Sequence, residues 1–180
     1  GNGLRCLATY FDSLKTHKKD SYLIETMNAV YPVFRKSKSF ALEMSEIKDK
    51  NLHDLSEFKD YLRSFYINTG VPHLVFLVED VKPIEVKKVG HYYRHHPIFP
   101  KGTNVTFVEV RSQSEQKAFA RTYERGVEEE TFSCGTGLTA TALALKEWFN
   151  WSGEVYLETN GGHQIVSLGD KIFYSGEVTC

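Results

Sequence analysis

The chain has 180 residues, 41% hydrophobic and 25% charged, the balance of an ordinary globular protein of one domain or two small ones. Its net charge of −1 lacks the cation excess that nucleic acid or an anionic membrane surface asks of a partner. No apolar run approaches the roughly 20 residues of a membrane-spanning helix, and the 3 cysteines, Cys6, Cys134 and Cys180, are too few and odd in number for a disulfide framework and suit a reducing compartment.

In chain order, Leu4, Leu7, Ala8 and Phe11 recur at helical spacing behind Gly1-Asn2-Gly3. Cys6 falls inside that helix, where a packing role is expected. Residues 21–30 read as a strand that Pro32 interrupts, and Arg35-Lys36-Ser37-Lys38-Ser39 as a polar connection. A domain boundary is placed there, dividing residues 1–36 from 37–180. Beyond it, residues 40–44 partly alternate and read as a strand. Residues 54–66 carry Leu55, Phe58, Leu62 and Phe65 at helical spacing behind Asp54 and Glu57, a capping-box-like start, and predict an amphipathic helix. Residues 74–78 are an apolar run and a buried strand, and residues 85–95 a short helix. Residues 104–110 and 118–124 read as strands. Residues 154–158, 163–168 and 171–175 form a meander that turns at Asn160-Gly161-Gly162 and Gly169-Asp170.

Residues 131–149 organise the rest. Cys134 is followed by Gly135-Thr136-Gly137, then by Leu138, Ala140, Ala142, Leu143, Ala144, Leu145, Trp148 and Phe149, which cover every side of a helix. A helix apolar all round is buried. One buried helix among many strands implies an α+β fold with a sheet curled around it. The helix start offers free N–H groups and the positive end of the dipole, a seat for a carboxylate. The same end predicts a Cys134 pKa lowered from the usual ~8.5. The bland alternative is a small buried hydrophobe. The opening of the chain repeats the pattern: with an offset of 134, Gly1, Gly3, Leu4 and Ala8 meet Gly135, Gly137, Leu138 and Ala142. This suggests a duplicated unit, in which the counterpart of Cys134 falls immediately before Gly1.

Other groups are weighed against their plainer roles. His91, His95 and His96 place two imidazoles one helical turn apart, but no carboxylate accompanies them and Pro97 ends the element. A solvated helix face is expected there, not a metal site. Glu128-Glu129-Glu130 reads as a solvated loop and Lys87-Lys88 as ordinary surface. His73 opens a buried strand behind the Thr69-Gly70 turn, where site residues gather; the alternative is a hydrogen-bonded structural histidine. Arg125, in Glu124-Arg125-Gly126 at a strand end, suits a bidentate grip on a carboxylate; the alternative is a surface ion pair.

Together these residues resemble the diaminopimelate epimerases. The matching pieces are Gly1-Asn2-Gly3-Leu4-Arg5-Cys6, Pro72-His73, His95-His96-Pro97-Ile98-Phe99-Pro100 with Asn104-Val105, Tyr123-Glu124-Arg125-Gly126-Val127, and Cys134-Gly135-Thr136-Gly137, in the family's order along essentially the whole chain. Asn2 separates the chain from proline-racemase relatives, which have His there. The resemblance implies two pseudo-symmetric domains, each a curled, mostly antiparallel sheet or barrel around a central helix, with the first incomplete in this sequence. It also implies a pyridoxal-independent epimerase that interconverts LL- and meso-diaminopimelate between two thiols, in the cytoplasm, as a homodimer, without cofactor or metal. Carried over, Cys134 is one catalytic thiol, with His73 and Glu124 as the polar groups that tune it. Gly1, Asn2, Asn104, Glu124, Arg125, Gly135 and Thr136 match substrate-binding positions.

The sequence departs from the family where Val71 replaces a common Asn and where the 128–131 loop is one residue longer. It also stops short of the family's final strand, and the first thiol is expected ahead of Gly1. The chain is therefore expected to lack its N-terminal part and to be inactive alone. Two other readings stand beside this one. One is a thiol acyl-transfer enzyme built on Cys134, His73 and Glu124; the other is a non-catalytic amino-acid-binding relative.

Overall fold

A computed structural model describes residues 2–14, 18–27, 30–36, 39–44 and 47–176. Gly1, Cys180 and the end of the chain lie outside them. The first helix, α1 (Asn2–Ser13), is followed by strands β1 (Ser21–Glu25), β2 (Val30–Lys36) and β3 (Ser39–Glu43). Then come β4 (Arg63–Asn68), β5 (Pro72–Leu77), α2 (Val86–Arg94), β6 (Asn104–Ser112), β7 (Lys117–Glu124), β8 (Glu129–Thr131) and α3 (Gly135–Phe149). A meander of β9 (Gly153–Thr159), β10 (Gly162–Leu168) and β11 (Ile172–Gly176) ends the described chain. No helix among the described residues is long and apolar enough to cross a membrane.

The strands form one 11-stranded sheet in the order β1-β2-β3-β11-β10-β9-β7-β6-β5-β4, with β8 paired to β7. Most neighbours are antiparallel; β5–β6 and β7–β9 are parallel. Each parallel pair needs a crossover: α2 lies between β5 and β6 in sequence, and β8 with α3 between β7 and β9.

Alternation along the strands sorts side chains between two layers. Phe65, Ile67, Val75, Leu77, Val108, Ala118 and Ala120 face α3 and share its core with Leu138, Ala140, Ala142, Ala144 and Leu145. Their neighbours of opposite parity, Tyr66, Leu74, Phe76, Val105, Phe107 and Tyr123, pack beneath α2 with Phe58, Tyr93 and Phe99. Both faces of β5 and β6 are therefore covered, and the period-2 pattern in residues 104–110 does not mark a wet face. The alanines of α3 and β7 are small enough to let helix and sheet approach closely.

Several expectations change. Residues 54–66 are not a helix. Asp54 does accept the Ser56 N–H at 2.9 Å, but the turn stops there, and Arg63–Asn68 pairs along β5 instead. Phe58 is drawn into an aromatic cluster with Phe76, Tyr93 and Phe99, while Leu62 is exposed. Tertiary packing overrides the local period. Pro32 does not interrupt a strand: it lies in β2 opposite Leu23, at the end of β2 that does not pair with β3, where its missing N–H leaves no ladder bond unmade on that side. The polar stretch at 35–39 belongs largely to β2 and β3, and Phe40 and Leu42 of β3 share a core with Ala8, Tyr22, Ile24 and Val33. Cys6 is exposed on α1 and fills no core position.

Candidate active site

Strand parity sets the site. His73, Asn104, Thr106, Thr122 and Glu124 share the parity of Val75, Val108 and Ala120, so β5, β6 and β7 aim them at the side occupied by α3. The helix meets them end-on at Cys134, its N-cap in extended conformation. Leu138 is the residue whose N–H first returns to the helix, at 2.8 Å from the Cys134 carbonyl, so the N–H groups of Gly135, Thr136 and Gly137 precede the helical ladder.

Both glycines are fixed by close approach. A Cβ at Gly135 would lie 2.8 Å from Tyr174 Cε1, and one at Gly137 would meet His73 Cε1 at 3.2 Å, Cys134 Sγ at 3.3 Å and Thr106 Oγ1 at 3.3 Å. The Gly-Thr-Gly sequence thus lets the thiol, the imidazole and the helix start share one small volume. Thr136 joins them: its hydroxyl lies 2.9 Å from His73 Nε2 and 3.4 Å from Cys134 Sγ. Thr69 donates to the Thr136 carbonyl at 2.9 Å and holds that turn against the end of β4.

The electrostatics reverse one expectation. Burial pushes the Cys134 thiol up to about 11, and the nearby Glu124 carboxylate adds to the rise, against hydrogen bonds from Thr136 and the Gly137 N–H that favour thiolate. Desolvation outweighs the helix start, so Cys134 is a protonated thiol at neutral pH. His73 is wholly buried, and its pKa falls to about 3, first from desolvation and then from the Arg125 charge. It is a neutral imidazole, and its Nδ1 has no partner among the described residues.

The second helix start reaches the same place. Asn2 Nδ2 donates to the Ser133 carbonyl at 3.3 Å, and Asn2 Oδ1 accepts from Tyr174 O–H at 2.8 Å and Arg5 Nη2 at 3.1 Å. The N-terminal turn of α1 and the residue before Cys134 are therefore neighbours across more than a hundred residues of chain. Gly161 pins the approach from the other side by donating its N–H to the Phe132 carbonyl at 2.8 Å, where a Cβ would collide with that oxygen.

The family model for diaminopimelate epimerase matches residues 65–179. This chain belongs to the diaminopimelate epimerase family. Enzymes of that name from Chlamydia muridarum, Flavobacterium psychrophilum and Aquifex aeolicus are 35%, 32% and 39% identical over 99%, 95% and 79% of the chain. The matched regions cover 68%, 64% and 51% of those relatives, so the chain spans about half to two thirds of their length. Among solved structures, a Bacillus anthracis protein of the phenazine biosynthesis PhzF family matches with TM-score 0.68 at 12% identity, over 94% of this chain and 69% of the other. A probable proline racemase from Agrobacterium radiobacter matches with TM-score 0.65 at 14% identity, over 99% and 67%. These establish the α+β fold with its curled sheet.

Of the positions that the epimerase resemblance marks, the structure gathers Asn2, His73, Glu124, Cys134, Gly135 and Thr136. Glu124 also accepts a short hydrogen bond from Thr131 Oγ1. Asn104 and Arg125 stand at the edge. The Asn104 amide is engaged with backbone, donating to the Pro72 carbonyl at 2.7 Å and accepting the Arg125 N–H at 2.8 Å. The Arg125 guanidinium reaches the carbonyls of Lys101 and Gly102 at 2.9 and 3.3 Å, not a carboxylate. Gly1 lies outside the described residues. Sequence reasoning missed Tyr174, Thr69, Thr131 and the Arg5 side chain. Arg5 carried no usable signal, because nothing local shows that β11 closes on α1. The Gly-x-Gly spacing was the signal for Tyr174, since each glycine implies a neighbour that needs its space.

Proposed function

We propose that the protein interconverts LL- and meso-diaminopimelate by proton transfer at the α-carbon, supplying lysine and peptidoglycan precursors. The observation that carries this reading is the meeting of two helix starts at Cys134. An inversion needs a base on one face of the carbon and an acid on the other; a single base would return the proton to the side it left. Cys134, held as a thiol, is the acid: its S–H proton goes to the α-carbon, leaving a thiolate. A thiolate on the opposite face takes the original α-proton and becomes a thiol. The start of α1, tied to Ser133 through Asn2, is the place from which that second group is presented. The two thiols exchange roles with each inversion, so their titrations are coupled.

The free N–H groups at 135–136 seat the substrate carboxylate at the positive end of α3. Neutral His73 and Thr136 hold the thiol in place. Glu124 disfavours a second negative charge beside it, keeping Cys134 protonated until substrate arrives. Arg125 takes the distal carboxylate on leaving the Lys101 and Gly102 carbonyls, and Asn104 positions it through its backbone. No step asks for a cofactor. The remaining features follow the family resemblance: two pseudo-symmetric domains divided near residues 36 and 37, a homodimer, and a cytoplasmic setting, to which a free thiol is suited.

The test is the exchange of the diaminopimelate α-proton with solvent deuterium by the full-length gene product, followed by NMR. Inversion with deuterium incorporation is expected, and Cys134→Ala should abolish net inversion. Wild-type rates in that variant would sink the role of Cys134. A covalent acyl-enzyme in the mass spectrum would instead favour acyl transfer.

A further inference from the structure

We propose that His91, His95 and Glu128 form a site for one divalent transition-metal ion of the zinc class, on the α2 side of the sheet and separate from the thiol site. The helix alone offers two imidazoles and no carboxylate. The fold supplies the missing ligand from another element, the turn between β7 and β8. One potential ligand atom from each of the three residues lies within 4.8 Å of the others. The two rings lie close, with centroids 4.4 Å apart.

The hydrogen bonds around these rings prepare them as ligands. His95 Nδ1 lies 3.0 Å from the His91 carbonyl, which can only accept, so the proton sits on Nδ1 and the lone pair on Nε2. His91 Nδ1 lies 3.2 Å from Tyr123 O–H, whose own proton goes to Glu128 Oε2 at 3.1 Å. The hydroxyl therefore accepts from His91 Nδ1–H, and the His91 lone pair is also on Nε2. Second groups that fix the tautomer of a histidine in this way are the usual companions of metal-binding imidazoles.

Glu128 is held just as firmly. Its Oε1 accepts from Arg94 Nε at 3.1 Å and the Gly126 N–H at 2.9 Å, while Oε2 accepts from Tyr123 and keeps a free lone pair. It adopts a left-handed backbone with φ 61°, unusual for a residue with a long side chain. Two histidines and a glutamate make a three-ligand set with an open fourth position, the pattern of zinc sites that keep a water. Drawing the ligand atoms to about 2.0–2.2 Å from a common centre takes shifts on the order of 1 Å, within the reach of two exposed rings. Nitrogen ligands select Zn²⁺ and Cu²⁺ over Mg²⁺ and Ca²⁺. Occupancy would tie the end of α2 to the turn that begins at Arg125, directly after Glu124.

The experiment is calorimetric titration of the full-length protein with ZnCl₂, alongside MgCl₂, and repeated for His91→Gln/His95→Gln, Glu128→Gln and Tyr123→Phe. One Zn²⁺ bound per chain is expected in addition to whatever the thiols bind, with no response to Mg²⁺. The double histidine variant should lose that site while its circular dichroism stays unchanged. Tyr123→Phe, which removes only the hydroxyl that orients His91 and Glu128, should weaken binding about 10–100-fold. Identical Zn²⁺ isotherms for wild type and the double variant, or no Zn²⁺ binding by the wild type, would overturn the proposal and leave the cluster as a clasp for the β7–β8 turn.

Discussion

Cys134 shows how two effects on one residue are ranked. A helix start and two hydrogen bonds favour thiolate, yet burial and Glu124 win and hold the thiol near pKa 11. A raised folded pKa means that stability from the neutral form is complete below about pH 8.5, the unfolded value, and is lost as the pH climbs toward 11. Iodoacetamide should accordingly leave Cys134 intact at neutral pH in the substrate-free protein while it modifies exposed Cys6, as read by peptide mass mapping. Rapid labelling of Cys134 at pH 7 would contradict the buried thiol. His73 has the opposite sign. Its folded pKa is depressed to about 3, so its contribution is present above about pH 6.5 and falls away as acid approaches 3. In a histidine-detected NMR titration the His73 resonances should stay fixed between about pH 5 and 8.

At the scale of elements, the clearest sequence signals came from continuous composition. The charge-free run at 138–145 needed no neighbours to be recognised as part of a buried helix, because it offers water no charged side chain on any face. The β9–β10–β11 meander was legible because its turns carry Asn-Gly-Gly and Gly-Asp at the right intervals. Residues 54–66 misled because helical spacing of four apolar side chains is also what an irregular segment shows when two of them enter different cores. Phe58 lies under α2, and Phe65 faces α3. The acidic run at 128–130 misled for a related reason. Like charges in sequence suggest solvent, but each carboxylate finds its own cation from another element: Glu128 with Arg94, Glu129 with Lys87, and Glu130 with the Nε–Nη2 edge of the Arg121 guanidinium. No local pattern reports partners that distant. The most buried of these pairs is Arg121–Glu130, with a bidentate geometry at 2.7 Å. Glu130→Gln should lower the denaturation midpoint by more than Glu129→Gln, whose Lys87 pair is well exposed and worth about 0–1 kcal/mol. Equal effects in urea unfolding would mean that the two pairs are equivalent despite their burial. Gly137→Ala belongs to this scale as well: the added methyl must displace His73, Cys134 or Thr106, and an overpacking cost of about 1–3 kcal/mol is expected.

The whole molecule depends on a small number of side chains that carry α1 to α3. Arg5 is the centre of that junction. It is 3% exposed and among the described residues pairs with no carboxylate, so its charge is accommodated by neutral groups alone. Nη1 donates to the Gly176 carbonyl at 2.6 Å, Nη2 donates to Asn2 Oδ1 and Tyr174 O–H, and the guanidinium stacks 4.5 Å above the Tyr174 ring. Burying a cation without a counter-ion is costly, and the arrangement makes physical sense if the site expects an anion, such as the carboxylate proposed to sit at the start of α3. Arg5→Met tests both parts of that argument. It keeps the apolar stem but removes three hydrogen bonds, taking the Arg5 donor from the Gly176 carbonyl while Asn2 Oδ1 keeps only Tyr174 O–H. A loss of about 1–3 kcal/mol per unsatisfied buried group would then oppose the relief of an unpaired charge. If the charge serves only packing, substrate carboxylate should protect the variant against thermal unfolding as much as it protects the wild type. If the charge helps to hold the anion between the two helix starts, protection by diaminopimelate should shrink in Arg5→Met even at temperatures where the variant is fully folded. The second result is expected, because the same Asn2 that Arg5 holds in place is what brings α1 to Ser133 and Cys134.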